Sequence, residues 1–411
     1  MLSYEAAQEL VLKTITRLDA ETLPLKQLYG RCLAEPLLAT VDLPGFDSTA
    51  MDGYAVKLAD IEKATDESPV RLPVAADIHA GDVPTIELKS GTAQRVMTGA
   101  PIPKGTETIV IREDTNELGD FVEIRKPAKL NMNIRRQGEE FKQGDMVLPA
   151  GTRLNPAGVA LIASLGLSEF KVYRQPKVSI LTTGSEVVAQ GKPLKPGELY
   201  DSNSWGLLAA LQEMRIEPVS IAHVADTVAS TVAALKAAAE QSDIIITTGG
   251  VSMGDSDFVK PALRELNAEI YFEKVAVKPG RPMCFAGIRH ATDSRQTFVF
   301  GCPGNPVSVL VSFHGFVKPA IQMMMGLSEF APFKVTAKLT KALKKKAGRR
   351  ENVRGYVQAK ADGFYVTPTQ GQMSHMLSGM AVANCIIHFP AGDVMLPEGS
   401  AVEVELLSPI Y

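Results

Sequence analysis

Residues 243 to 257 read Asp243-Ile-Ile-Ile-Thr-Thr-Gly-Gly-Val-Ser-Met-Gly-Asp-Ser-Asp257. Gly249, Gly250 and Gly254 make a turn whose backbone N–H groups can face an anion, and a helix follows it. Asp255 and Asp257 stand in the same turn and would repel a bare phosphate. The combination implies a divalent cation between them, and Mg²⁺ is commonly held by one or two carboxylates plus substrate phosphates. Further on, Lys274-Val-Ala-Val-Lys278-Pro-Gly-Arg281 supplies cations. Read as a strand and turn, it puts Lys274 and Lys278, four apart, on one face to meet phosphate or another oxyanion. No Walker P-loop, G-x-G-x-x-G, H-E-x-x-H or C-x-x-C occurs, which removes the common nucleotide, metalloprotease and cysteine–zinc readings.

Gly250-Val-Ser252-Met-Gly254 also fits G-x-S-x-G, the serine elbow of α/β-hydrolases. Asp293 with His314 or His375 completes the chain order of that triad. Two features oppose a hydrolase. The strand is read as ending at Ile246, which leaves Thr247 to Val251 ahead of the serine. Asp255 and Asp257 would also oppose a developing oxyanion. Other stretches are uninformative alone. Ser48 to Ala55, including Asp52-Gly53, and Arg95 to Pro101, including Thr98, read as turns. Lys341 to Arg350 reads as a solvated basic loop, and Arg354 and Ser374-His375 lie in a β region.

The elements that position these residues follow from periodicity. Ile244 to Ile246 is a strand buried on both faces, and Phe258 to Leu266 a helix with Pro261 in its first turn. Strands at Val178–Leu181, Val219–Ala222 and Phe298–Phe300 alternate with helices at Trp205–Met214 and Ala229–Ala239. The first of these helices is begun by Ser202 or Asn203, and a long apolar helix follows Pro306 and ends near Gly326. This is a doubly wound, mostly parallel α/β sheet, whose ligands sit beyond the carboxyl ends of the strands. Those ends are Thr182 to Glu186, Ala225-Asp226, Thr247 to Asp257 and Gly301 to Pro306, which are expected to meet at one site. Flanking it are an amphipathic helix behind Ser3, a β-rich stretch from 46 to 138, and a C-terminal β-barrel or sandwich with a hairpin at Ala361-Asp362-Gly363. A chain of 411 residues has room for about two to four domains. A net charge of −3 argues against general nucleic-acid or anionic-membrane binding. Scattered cysteines, and no apolar run of about 18 residues, point to a reducing cytoplasmic setting.

Taken together, several stretches resemble the molybdopterin molybdotransferase family, which puts molybdenum into molybdopterin. They are Ser48 to Ala55, Met97 to Pro101, Asn133 to Gly138, Thr183 to Glu186, Thr248 to Asp257, Lys278 to Arg281 and Pro303-Gly304-Asn305-Pro306. The resemblance implies a multidomain α/β plus β chain. Its parts would be a discontinuous mixed domain (1–45 and 139–172), a β-rich lobe (46–138), a molybdopterin-binding α/β domain (173–326) and a C-terminal β-barrel (327–411). It further implies a homodimer whose site joins the α/β domain of one subunit to the β lobe of the other. The implied substrates are adenylylated molybdopterin and molybdate, with Mg²⁺ as cofactor and possible contact with the adenylylating enzyme of the pathway. On matching positions, Asp52, Thr98, Glu186, Asp226, Asp257, Lys274 and Lys278 would be catalytic. Gly249, Gly250, Ser252, Gly254, Arg281, the 303–306 loop, Arg354 and Ser374 would bind substrate. Asp257, Asp255, Asp226 and Glu186 would hold the metal. Two positions depart from the family pattern: Glu140 stands where aspartate is usual, and Arg281 where lysine is also found. The competing readings are a serine hydrolase using Ser252 and a non-catalytic scaffold on the same fold.

Overall fold

The computed structural model describes residues 1–251, 257–290, 295–327 and 332–407. Helix α1 (Tyr4–Thr14) starts where the Ser3 hydroxyl accepts the Ala6 N–H. Strands β1 (Gly53–Val56), β2 (Val70–Ile78), β3 (Ala93–Val96), β4 (Thr108–Ile111), β5 (Thr115–Leu118) and β6 (Phe121–Ile124) form one sheet, ordered β4-β1-β3-β2-β6-β5. Tyr54, Leu72, Val110 and Val122 give this lobe its own core. Helix α2 (Pro156–Ser164) begins at Asn155, whose side chain accepts the Gly158 N–H at 2.8 Å. Its Ile162 shares a core with Leu28, Leu33 and Leu37, so distant segments of the chain close a third unit.

The α/β region contains β7 (Val178–Thr183), α3 (Asn203–Glu213), β8 (Ser220–Val224), α4 (Val228–Gln241), β9 (Ile244–Thr248), α5 (Val259–Glu265), β10 (Glu269–Phe272), β11 (Val277–Lys278), β12 (Cys284–Arg289), β13 (Gln296–Cys302), α6 (Pro306–Ser312) and α7 (Lys318–Met324). Its sheet order is β8-β7-β9-β13-β12-β10. The first four strands are parallel, and β12 runs antiparallel to both of its neighbours, β13 and β10. Strand β9 explains the arrangement. Ile244 and Ile246 pack in a core with α1, α3 and α6, while Ile245 packs with α4 and α5 on the opposite face. Each isoleucine so buried contributes about 1.5–3 kcal/mol, and only a strand covered on both sides collects all three.

Three expectations need correction. Strand β9 runs to Thr248, not Ile246, because Thr247 and Thr248 continue the ladder opposite Gly301 and Cys302. Helix α3 begins at Asn203 behind Ser202, as expected, and the side chain that caps its first turn comes from the residue before them. Asp201 accepts the Ser204 N–H at 3.0 Å and its hydroxyl at 2.6 Å. Lys274 and Lys278 do not share a strand face. Only Val277–Lys278 is strand, and the Val277 N–H bonds Val275 O while the Val275 N–H bonds Arg281 O, folding the segment into a loop. The long apolar helix is interrupted by a π turn at Phe313–Val317. Pro319 has no N–H for the Gly315 carbonyl, which accepts instead from Gln8 Nε2 at 2.8 Å. A Cβ at Gly315 would strike the Tyr4 hydroxyl, so the break and the docking of α1 are one feature.

C-terminal strands β14 (Lys334–Leu339), β15 (Arg350–Lys360), β16 (Gly363–Pro368), β17 (Cys385–Phe389) and β18 (Ala401–Leu406) close a barrel in the order β15-β16-β14-β18-β17. The β15–β17 pairing completes the ring. Within the basic run, Leu343–Lys344 pairs with Met395–Leu396, so part of it is ladder rather than loop. Among the described residues, Pro306–Met324 has the length and apolar character of a membrane span, but 72% of it is buried as a core helix.

Candidate active site

The loops that leave β7, β8, β9 and β13 do meet. They line a cavity of about 750 Å³ whose wall includes Thr183, Glu186, Asp226, Gly249, Gly250 and the 303–306 loop. Gly249 and Gly250 have φ of +86° and +63°, and a Cβ on Gly249 would lie 2.7 Å from the Thr183 hydroxyl. Glycine thus lets the β9 loop lie flat against the end of β7. The Asp226 carboxylate accepts the Ser185 N–H at 2.5 Å, which locks one rim loop to the next.

Two residues seen from sequence only as a helix start belong to this wall. Asp201 lines the cavity. Asn203 Nδ2 donates to Thr248 Oγ1 at 2.7 Å and to Gly304 O at 2.8 Å, stapling the β9 end to the 303–306 loop. Its Oδ1 is buried and has no hydrogen-bond partner among the described residues. His375 and Leu377 reach the wall from the barrel. A Ser–Asn pair at a βα junction was the available signal for Asn203; His375 entered the sequence reading only as a possible partner in the hydrolase triad.

The wall is acidic. Glu186, Asp201 and Asp226 line it, and no lysine or arginine does so among the described residues. Asp257 is not among the residues of this wall, and its side chain is 12% exposed. One of its oxygens pairs with the Lys260 ammonium, and Oδ1 is buried without a partner. Among the described residues no three His, Cys, Asp or Glu side chains form a closed metal cage. Separate hard oxygen donors fit Mg²⁺, which keeps several waters and takes ligands from a substrate phosphate. Ser252, Gly254 and Asp255 lie outside the described residues. At the start of the short helix α5 the Val259 N–H is taken by Gly250 O and Pro261 has none, so neither is free for an anion.

The cations are held elsewhere. Lys278 pairs with Glu351, Arg281 is exposed, Lys274 is half-buried in the loop before β11, and none of them lines the cavity. In the β lobe, Asp52 Oδ1 accepts the backbone N–H and the hydroxyl of Thr98, both at 2.7 Å. Those two hydrogen bonds hold the Asp52 carboxyl below its ordinary range. The pair is exposed and outside the cavity of its own chain. Arg354 is 1% exposed and donates to Gly371 O and Met373 O, and burial pushes it down to about 10. It braces the loop whose Ser374 carbonyl accepts the Val307 N–H at 3.1 Å. Glu140 is exposed beside the bridge of Leu43 to Phe141.

Three family profiles cover most of this chain: "MoeA N-terminal region (domain I and II)" over residues 2–166, "Probable molybdopterin binding domain" over 179–323 and "MoeA C-terminal region (domain IV)" over 336–407. A Haemophilus influenzae protein named molybdopterin molybdenumtransferase is 37% identical over 98% of both chains. The chain belongs to the MoeA family. A Mycobacterium tuberculosis relative, molybdopterin molybdenumtransferase 2, is 38% identical over 98% of this chain and 99% of its own. A Pyrococcus horikoshii structure described as a molybdopterin biosynthesis moeA protein superposes with a TM-score of 0.85 at 30% identity, covering 99% of this chain and 100% of that one.

Membership in the MoeA family does not favour the hydrolase or the scaffold. Ser252 and Asp293 lie outside the described residues, and His314 sits on the π turn rather than in the cavity wall. Burial pushes the half-buried His314 imidazole down to about 4, with Lys318 adding to the effect. An unfolded histidine titrates near 6.5, so between about pH 6.5 and 4 the unfolded chain binds a proton that the folded one refuses. Stability should therefore fall as pH drops through that window. A series of melting temperatures should show a shallower fall for His314→Gln than for wild type.

Proposed function

We propose that this chain is a molybdopterin molybdenumtransferase that inserts molybdate into adenylylated molybdopterin and releases AMP. The observation that carries this reading is the acid-walled cavity beyond the parallel strands, closed by the glycine turn of β9 and the 303–306 loop. Asp226, Glu186 and Asp257, with Asp255, would hold Mg²⁺, which when bound offsets negative charge at the pyrophosphate. Gly249, Gly250, Ser252, Gly254 and Pro303 to Pro306 shape the pterin site, and Asn203 holds the 303–306 loop to the end of β9. Lys274, Lys278 and Arg281 engage oxyanion oxygens, and Arg354 holds Ser374 beside them. Insertion forms two Mo–S bonds to the dithiolene while an oxo ligand of molybdate leaves as water with the two thiol protons. A second water cleaves the phosphoanhydride, freeing AMP and leaving the other phosphate on the pterin. The chain supplies orientation and charge and needs no protein nucleophile.

Asp52 and Thr98 are exposed in a separate lobe, which supports a homodimer in which they face the cavity of the other subunit. The separate cores support the four-domain division at 45/46, 138/139, 172/173 and 326/327, with α1 lent to the α/β core. Four free, buried cysteines support a reducing, cytoplasmic setting. The deciding experiment incubates the chain with adenylylated molybdopterin, Mg²⁺ and molybdate. AMP and molybdenum-loaded pterin should appear in equal amounts, and a fluorophosphonate should leave Ser252 unlabelled. No AMP, or covalent labelling of Ser252 with loss of turnover, would defeat the reading.

A further inference from the structure

Strand β11 runs parallel to the start of β15, with Val277 opposite Arg350 and Lys278 opposite Glu351. That register sets the Lys278 ammonium 3.1 and 3.2 Å from the two Glu351 oxygens, across the junction of the α/β region and the barrel. The partners are unequally solvated, with side chains 49% and 16% exposed. The carboxylate has lost most of its water and depends on the amine, whereas the amine keeps access to solvent and to an alternative anion. Lys278 in this position is outside the wall that holds Glu186 and Asp226. Lysines are flexible point charges that exchange partners readily.

We infer that Glu351 is a positioning residue that competes with the oxyanion substrate for Lys278. The inference rests on the proposed role of Lys278 in binding oxyanion oxygens. With no oxyanion present, Glu351 retains the ammonium and keeps it from collapsing onto the cavity acids. Capture of molybdate then requires Lys278 to exchange one anion for another, so Glu351 sets the affinity for the oxyanion. The residue acts through Lys278 and does not touch the reacting atoms.

Glu351→Gln keeps the size of the side chain and removes its charge. Sodium molybdate, titrated calorimetrically into the full chain at fixed ionic strength, should bind the variant about threefold tighter, the scale of a partly exposed ion pair. In turnover assays the change should fall in the KM for molybdate rather than in kcat. Glu351→Asp should restore the wild-type value. Lys278→Ala should weaken binding, and the double variant should show no gain over Lys278→Ala. Thermal melts of each variant separate this effect from simple loss of structure. Unchanged or weaker binding in Glu351→Gln, with Lys278→Ala impaired, would overturn the tether and leave the role of Lys278 standing. Molybdate binding unaffected by Lys278→Ala would overturn both.

Discussion

Asp257→Asn is expected to fold and to lower Mg²⁺-dependent AMP release by about a hundredfold or more, the scale of removing one preorganised electrostatic contact. The asparagine keeps the shape of the side chain and an acceptor for Lys260, while the charge that would hold the cation is gone. Asp257→Ala should do more damage. The pair it breaks has side chains only 10% and 12% exposed, so Lys260 loses one of its contacts in a poorly solvated place. That variant should both lose AMP release and melt several degrees lower. Chromatographic AMP release and calorimetry on the two variants check this directly. Full turnover in Asp257→Asn would remove Asp257 from the site.

The second large effect is expected at Gly53→Ala. Gly53 opens β1, between β3 and β4, opposite Val96 and Ile111. A Cβ there would collide with the Val110 carbonyl oxygen and lie 2.9 Å from its carbon, so two central strands would have to part. Overpacking against backbone costs about 1–3 kcal/mol or more. The loss should fall on the β lobe, read as hydrogen exchange gained in β1, β3 and β4. The neighbouring Asp52 would lose its place, because its carbonyl accepts the Arg112 N–H and its carboxylate is set by Thr98. Molybdenum insertion should collapse while AMP binding to the α/β region persists. Wild-type exchange in the lobe would contradict this.

Gly53 also shows where sequence reading stops. Asp52-Gly53 looks like turn chemistry, yet this glycine is in a strand and is required by the approach of a neighbouring backbone, which no local pattern encodes. The sheet was legible for the opposite reason. Three consecutive isoleucines followed by glycines can satisfy β9 only if both faces are covered, and helical periodicity on either side supplies the covers. Glu186 and Asp226 could be placed because each follows a strand of that sheet. Asn203 could not, since its partner Gly304 is 101 residues away in sequence. Lys278 was misjudged for a related reason. Its spacing from Lys274 suggested a shared strand face, but a loop folded by Val275 and Arg281 separates them, and its partner Glu351 comes from the barrel. The threonines ending β9 were cut short because their ladder partners lie on β13.

The central claim is that the carboxyl-end rim of this sheet holds a cation beside an adenylate phosphate. Crystals grown with AMP and Mn²⁺ in place of Mg²⁺ test it most directly, because manganese is located by its anomalous signal. The account predicts a manganese peak within coordinating reach of carboxylates among Glu186, Asp226 and Asp257, with the AMP phosphate in the cavity bounded by Gly249, Gly250 and Pro303 to Pro306. AMP bound elsewhere on the chain, or manganese on unrelated surface acids with the rim empty, would contradict it.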